Sequence, residues 1–518
     1  YHTLPQMAPS DVETVGEGYP AIGTRGTTGE AKVQLTTVKG SHSFKYGYQE
    51  RRYWFTASGP GNSSGSFSFN NNYTRQKDTT TTASNLGLSW AAFMMGVPSG
   101  ISIATNDTAY WSTRYRSIYV HDDWRVTRKL QLNLGLRYER EGGTTERFNR
   151  GIAGGFDFNY KPPFAALVEA AYAKSPLTEM PAAQFKVLGG TQYLGQPNKT
   201  YTDGTHHFLP RIGLTYQVAS KTVLRTGYGW YYDTFNVMND RPNQDGYSQG
   251  TSTTVTDDRG LTFRCGVGEA ANLAANRNCM VDPFPVRADG TRFDVPYGNS
   301  LGSMIRQGRN WTFYPRNYFP PFQQRWRLGI QREITSNMVI DVSYNGAYSK
   351  IPVTQRIDFL AEQYWAKGNK RVQAIDDDLN RNITNPFNIN NLAPLRTSDP
   401  KIYNYLTTQG FFTGANIRKH QLLRTYPNLN GLYGLRPGVE LRDAYGGNKY
   451  HDLQARFERR FRDGFQTAVM YTYAYGEESD YYHNEFDAKP TYRPQNDIRP
   501  HRLVWQAIYE LPFGKGRT

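Results

Sequence analysis

The strongest constraint on the fold of this chain is a strict alternation of apolar and polar residues. In residues 130–139, apolar side chains occupy every second position, from Leu130 to Tyr138. A helix would need apolar residues three and four positions apart, whereas a strand directs successive side chains to opposite faces. The segment therefore predicts a β-strand with one apolar face and one polar face.

The same alternation recurs along the chain in neighbouring pairs of segments, and each pair predicts a hairpin. About eleven strands are predicted in all. They lie within residues 31–38, 43–55, 115–124, 130–139, 211–218, 224–232, 326–331, 340–348, 453–458, 465–475 and 501–511.

The connections between these segments alternate in length. Links of about three to five residues close the hairpins, and long stretches rich in Asn, Thr, Gly, Pro and Tyr separate them. The long stretches are residues 57–112, 142–209, 234–323, 350–449 and 478–499. In an up-and-down sheet this pattern collects the short turns at one end and the long loops at the other, as in outer-membrane barrels. Since 9–11 tilted residues cross the hydrocarbon layer, we predict an all-β, transmembrane antiparallel up-and-down β-barrel with short periplasmic turns and long extracellular loops.

The polar face of these strands carries charged and amide side chains, which are costly to bury in a soluble core. When such side chains face a wet lumen, or a polar plug inside it, their free-energy cost is small. An antiparallel sheet with one face in bulk water would give the same alternation and stays open as an alternative. The candidates to face the lumen or a plug are Gln131, Arg137, Gln217, Arg225, Arg327, Gln331, Gln454 and Arg456.

Composition narrows the protein class further. None of the 518 residues belongs to an apolar run of about 18, which excludes a helical membrane protein, and 14% aromatic residues argue against disorder. The net charge of +15 is spread along the chain, whereas nucleic-acid binders concentrate their basic residues in a stripe or tail. We therefore expect contact with outer-membrane lipid and lipopolysaccharide, and no nucleic-acid partner.

Few residues have the spacing of a chemical site. Cys265 and Cys279 lie in one predicted outside loop, where an oxidising setting favours a disulfide, with two unpaired thiols as the alternative. The Asp run 376–378 lacks the spaced ligands of a calcium loop, and the adjacent His206 and His207 point to opposite sides of an extended chain. No catalytic motif is present, so we predict neither enzyme activity, nor a metal, nor a cofactor.

The aromatic-rich loops 231–247 and 311–322 are the predicted regions of first ligand contact, because Tyr and Trp offer a large stacking area with a polar handle. Their candidate residues are Tyr231, Tyr247, Trp311, Tyr314 and Tyr318. A short helix is predicted within loop residues 359–375, where packing is favoured over ligand binding.

Several motifs resemble the Oar-like TonB-dependent receptors, which are large outer-membrane proteins abundant in Acidobacteria and their relatives. Individually each is only a hairpin signature, but together they extend from about residue 40 to the end of the chain. They are GSHSFKYG at 40–47, YVHDDWRV at 119–126, LNLGLRYE at 132–139, PRIGLTY at 210–216, LGIQRE at 328–333, NDIRPHR at 496–502 and ELPFGKG at 510–516.

This resemblance implies an outer-membrane receptor of a Gram-negative bacterium that binds a nutrient with its outside loops. It also implies a plugged barrel of about 22 strands that works with its own plug domain and the TonB complex. Residues 1–518 would then be the middle part of the barrel, without the plug, the N-terminal domain, the TonB box or the final strands. The nutrient class (sugar, peptide, siderophore or export-related protein) stays open.

Two other functions stay open on the sequence. One is a passive structural or adhesive surface barrel without active uptake, and the other is a soluble secreted β-sandwich or propeller that binds carbohydrate. A plug and TonB box upstream would favour active transport over the first, and outer-membrane fractionation separates both barrels from the second.

Overall fold

The computed structural model describes most of the chain. The described residues are 4–17, 23–58, 62–75, 87–106, 108–148, 150, 153–193, 200, 203–234, 246–256, 279–280, 283–313, 319–365, 372–434 and 445–513.

Eleven long strands form one antiparallel sheet, in which each strand pairs with its neighbours in chain order. The number of strands agrees with the sequence prediction, although most strands are longer than the alternation indicated. The strands are β1 (Gly23–Lys39), β2 (His42–Ser58), β3 (Ala109–Arg125), β4 (Leu130–Glu141), β5 (Thr205–Ala219), β6 (Thr222–Tyr232), β7 (Phe322–Thr335), β8 (Met338–Pro352), β9 (Tyr445–Arg462), β10 (Phe465–Tyr481) and β11 (His501–Tyr509). Two short strands, Thr145–Glu146 and Thr491–Pro494, add to this sheet at β3 and β10.

Tight turns close the hairpins at one end of the sheet. Asp463 and Gly464 connect β9 to β10 with φ values of 53° and 74°, the two positive values that a type I′ turn requires. Gly40, between β1 and β2, also has a positive φ, of 59°. The connections longer than ten residues all leave the opposite end, as the sequence predicted.

The apolar face of the sheet is exposed. Leu136, Leu328 and Leu453 keep 46%, 51% and 47% of their surface accessible. The last two belong to one row of register partners, with Tyr344 between them. An exposed apolar band of this extent is typical of a surface that contacts lipid.

The sheet is open between β1 and β11. Within the described ranges, each of these two strands has one long-strand partner, β2 for the first and β10 for the second. Both faces of β11 are exposed along its whole length.

The long connections contain short helices and strands, most of which the alternation could not predict. The helices are α1 (Ser89–Met94), α2 (Ala165–Tyr172), α3 (Glu362–Trp365), α4 (Gln373–Asn380), α5 (Leu395–Ser398), α6 (Pro400–Thr407), α7 (Gly410–Thr413) and α8 (Lys419–Leu422), with 3₁₀ turns at Asn71–Tyr73, Gly302–Met304 and Ile389–Leu392. Helices α3 and α4 overlap the helix predicted within 359–375. In the described part of the chain, no helix combines the length and the apolar character needed to cross a membrane.

Three of the long connections fold together into one body, which we call the cap. It comprises residues 153–193, 297–313, 353–365 and 372–434, and its core contains Phe164, Leu301 and Leu406, one residue from each connection. Three short sheets lie within it. The first pairs Ala153–Asp157 with Gly190–Tyr193, and the second pairs Asn382–Thr384 with Asn416–Arg418. In the third, the strand Gly431–Gly434 lies between Asn310–Phe313 and Gln355–Arg356 and pairs with both.

A second body at the same end is built on a four-stranded sheet. Its strands are Gln6–Pro9, Ser66–Phe69, Gly100–Asn106 and Ser248–Thr253. Helix α1 packs on this sheet, and Phe69, Val255 and Cys279 are fully or almost fully buried in the core between them. The long connections are therefore folded structures with their own apolar cores.

A groove on the polar face of the sheet

A groove of about 720 Å³ opens on the polar face of the sheet, across strands β3 to β9. Glycines form part of its floor, including Gly213, Gly227 and Gly229. Because a glycine has no side chain above the backbone, these positions leave an open space in the polar face. Larger side chains of neighbouring residues form the walls of that space.

Register brings the main side chains of the groove together. Arg211 on β5 lies opposite Gly229 on β6, and Gly229 lies opposite Arg325 on β7. Directly opposed residues in an antiparallel pair project to the same face. The two arginines therefore flank a glycine in a single row across three strands.

Tyr231 lies over that glycine. A Cβ added at Gly229 would come within 3.2 Å of the Tyr231 hydroxyl oxygen and 3.4 Å of Arg211 Cγ. The guanidinium carbons of Arg211 and Arg325 lie 4.7 and 5.4 Å from the centre of the Tyr231 ring, within cation–π range. The aromatic ring thus holds both cations at one place.

The groove is positively charged. Arg327 is a third arginine in its lining, and it forms an ion pair with Asp341 over 3.7 Å. Arg325 donates from Nε to the side-chain oxygen of Gln323. Among the carboxylates that the structure describes, none forms an ion pair with Arg211 or Arg325, and both arginines are exposed to the groove.

The structure places all eight predicted lumen residues on this polar face. Gln131, Arg225 and Gln454 belong to one row of register partners, and Gln217, Gln331 and Arg456 belong to another. The remaining two are Arg137, opposite Tyr119 and Leu209, and Arg327, opposite Gly227 and Asn345. That this face lines a lumen or contacts a plug remains a prediction.

The predicted ligand-contact residues of the loops lie in different environments. Tyr231 lies in the groove, and Tyr247 is half-buried beside Gly298. The prediction is wrong for Trp311, which lies in the cap core with 2% of its surface exposed and with Arg306 over its ring. A ligand that arrives from outside does not reach it.

Three predicted residues lie outside the described residues: Tyr314, Tyr318 and Cys265. Cys279 itself is fully buried in the second body. The disulfide between Cys265 and Cys279 therefore stays a prediction.

The acidic run at 376–378 lies in helix α4. Asp378 forms ion pairs with Lys419 and Arg381, and Asp377 accepts a hydrogen bond from Gln373. His207 stacks on Tyr232 with 3.9 Å between ring centres. Among described residues, no group of three or more His, Cys, Asp or Glu side chains is arranged to hold a metal ion.

The sequence analysis missed Arg211 and Arg325 as site residues. Arg325 lies two residues before Arg327 on the same face of β7, and Arg211 continues the alternation that identified Gln217 on β5. The alternation could have assigned them to the polar face. It could not have shown that they meet at Tyr231, because that depends on register across three strands.

Comparison with known proteins decides the family. The model of the family described as "Outer membrane beta barrel domain" matches residues 1–518. This chain belongs to the outer membrane β-barrel domain family. It is therefore an outer-membrane protein. This agrees with the exposed apolar face of the sheet and with the short turns and long connections lying at opposite ends of it. A search of curated proteins found no match.

Solved structures resemble it at low identity. "Copper transporter OprC" is 9% identical over 94% of this chain and 42% of its own, with a TM-score of 0.35. The outer membrane transporter YddB from Escherichia coli is 8% identical over 93% and 39%, with a TM-score of 0.36. The ferripyoverdine receptor of the outer membrane of Pseudomonas aeruginosa is 10% identical over 95% and 36%, with a TM-score of 0.34. The chain thus spans less than half the length of these structures, which their names describe as transporters and a receptor.

Proposed function

We propose that this chain is part of an outer-membrane receptor barrel that binds a nutrient at its loop end and admits it along the polar face. The observation that carries this proposal is the open groove on the polar face, at the end of the sheet where the long connections are folded. A barrel that served only as a scaffold would need neither an open polar groove nor structured loops at its entrance.

The finer proposal is a TonB-dependent receptor of the Oar-like type, from an Acidobacteria-like bacterium. It rests on the resemblance of the sequence motifs, and its partners would be a plug domain of the same protein and the TonB complex. Lipopolysaccharide would surround the outer rim of the barrel.

One of these motifs has a clear structural role. In YVHDDWRV, Asp122 and Asp123 point to opposite faces of β3 near the short turns. Asp122 pairs with His42 at 2.7 Å, and Asp123 pairs with Lys45 and His121, each at 3.0 Å. The motif therefore binds β2 to β3 on both faces, which supports its use as a mark of the barrel.

The test uses the full-length protein expressed in the outer membrane of a Gram-negative host, with and without a functional TonB complex. Cells are grown in a defined mixture of nutrients, and depletion of each compound from the medium is measured. We expect at least one compound to be depleted only when both the protein and TonB are present. Depletion without TonB would favour a passive barrel, and no depletion in either host would contradict uptake altogether.

A further inference from the structure

We propose that the groove around Arg211, Tyr231 and Arg325 binds a small organic anion, a molecule that carries a carboxylate or phosphate group. This inference rests on the proposed function, and it names the substrate class of that receptor.

The charge of the groove is the first argument. Arg211 and Arg325 are held together by one aromatic ring, at 4.7 and 5.4 Å from its centre, although their like charges repel. No described carboxylate pairs with either of them. A guanidinium presents a planar set of donors that matches a carboxylate or phosphate, and hydrogen bonds between such charged groups are the strong ones. An anion bound between the two arginines would relieve their repulsion.

The position of the groove is the second argument. Arg325 is the fourth residue of β7 from its loop end, and Tyr231 is the last but one residue of β6 before the same end. At about 3.3 Å per residue, Arg325 lies about 10 Å from the end of its strand. A solute that enters past the loops therefore reaches these cations before Arg327 and Gln331, which lie farther from that end on the same face of β7.

The size of the groove favours a small molecule over a polypeptide. Its volume of about 720 Å³ falls within the range of roughly 300–1,000 Å³ found for small-molecule pockets. The main-chain groups of β5, β6 and β7 are already paired within the sheet, so a peptide segment gains no added-strand hydrogen bonds here. A hydroxyl from Tyr231 and amides from Gln323 and Asn345 provide additional polar contacts for a compact ligand.

The experiment measures binding of two probe anions, citrate and pyrophosphate, and of glucose as a neutral probe. Isothermal titration calorimetry is performed on the full-length protein in detergent at low salt. We expect at least one anion to bind and glucose not to bind. The double variant R211Q/R325Q should weaken anion binding at least tenfold. The control variant R225Q, on the same face of β6 but outside the groove, should change it less than twofold. Circular dichroism and heat-modified gel migration verify that both variants keep the barrel.

Three results would overturn the inference: neither anion binds with a Kd below 1 mM, R211Q/R325Q binds as the unchanged protein does, or anions bind only after the plug is deleted. The last result would mean that an acidic segment of the protein itself occupies the groove. The nutrient-depletion assay separates this failure from failure of the proposed function. TonB-dependent depletion of a neutral compound alone would keep the receptor and discard the anion.

Discussion

Asn428 and Gln307 are joined by a hydrogen bond in which the Asn428 side-chain amide donates to Oε1 of Gln307 over 2.7 Å. Both side chains are completely buried. Both also donate to the carbonyl oxygen of Gly189, at 3.2 Å from Asn428 and 2.9 Å from Gln307. The three residues come from three different connections of the barrel. The cap is therefore held together by a buried polar network as well as by its apolar core.

Removal of the Asn428 amide should loosen the cap. Asn428→Leu leaves the acceptors of Gln307 and Gly189 buried without that donor, which costs about 1–3 kcal/mol. We expect faster amide hydrogen exchange, measured by mass spectrometry, in residues 303–309 and 428–432, with β5–β9 unchanged. Asn430→Leu is the matched control because Asn430 is exposed two residues away. Equal effects of the two variants would show that the network does not stabilise the cap.

Lys419 is a buried cation that joins two connections. Only 4% of its side chain is exposed, and Nζ lies 2.6 Å from a carboxylate oxygen of Glu179 and 2.5 Å from one of Asp378. Burial by itself lowers the pKa of Lys419, but its hydrogen bonds to Asp378 and Glu179 outweigh burial, so the pKa is raised. The hydrogen bond from Lys419 lowers the pKa of each carboxyl group.

Lys419→Met should therefore destabilise the cap by about 1–2 kcal/mol. This is less than for a fully buried pair, since the two carboxylates are 39% and 47% exposed and water screens them. The measurement is the rate of cap cleavage by a dilute protease. Lys174→Met, at an exposed lysine, should leave that rate unchanged. A cap that resists cleavage in Lys419→Met would contradict a stabilising role for the pair.

The cap should weaken in mild acid through His420. Burial, followed by the nearby positive charges of Arg424 and Arg356, lowers the pKa of His420 to about 4, against 6.5 for a free histidine. Glu485 opposes this effect, and Arg418 adds to it. Because the unfolded form then binds the proton more readily, the stability present above pH 6.5 is lost as pH falls from 6.5 towards 4.

Hydrogen exchange around residues 419–424, corrected for the intrinsic rate at each pH, measures this loss. In His420→Gln the decline between pH 6.5 and 4.5 should disappear. A second decline in stability at lower pH should remain in this variant. Burial raises the pKa of Glu485, but the hydrogen bond from Arg424 outweighs burial, so the pKa is lowered. Protonation of Glu485 at low pH then removes its ion pair with Arg424. An unchanged profile in His420→Gln would assign the acid sensitivity to another group.

The predicted disulfide is testable by peptide mapping under non-reducing conditions. We expect one linked peptide that contains Cys265 and Cys279, which disappears after reduction. Closing a 15-residue loop contributes about 3 kcal/mol in the chain-entropy model. Cys265→Ser should therefore lower the stability of the second body without disturbing its core, where Cys279 packs beside Phe69. Recovery of two alkylated thiols from the unreduced protein would disprove the bond.

Two glycines on β6 allow a paired test of the groove. An alanine Cβ at Gly229 would come within 3.2 Å of the Tyr231 hydroxyl oxygen, whereas one at Gly227 has no contact closer than 3.7 Å. Gly229→Ala should displace the ring that holds the two arginines and weaken citrate or pyrophosphate binding several-fold. Gly227→Ala should have the smaller effect in the same titration, and the reverse order would argue against a role for Tyr231.

The sequence by itself determined the strands, their two faces and the order of short and long connections. Residues 130–139 fall within β4, Arg225 and Arg327 fall on the polar face, and a short link at Asp463 and Gly464 closes the hairpin of β9 and β10. These features are local: side-chain direction in a strand repeats every two residues, and a tight turn depends on its own two residues. No distant contact is needed to predict them.

The cap and the groove were decided by the tertiary structure. Phe164 and Leu406 share a core although 242 positions separate their numbers, and nothing in either local sequence indicates the other. Trp311 is of a residue type that suits ligand contact at a surface, but residues from other connections bury it. Arg211 and Arg325 meet at Tyr231 because the register of β5, β6 and β7 places both arginines in the row of Gly229, two residues from Tyr231 on the same face. Strand alternation specifies which face a side chain occupies, whereas only the pairing of distant strands specifies which side chains become neighbours on that face.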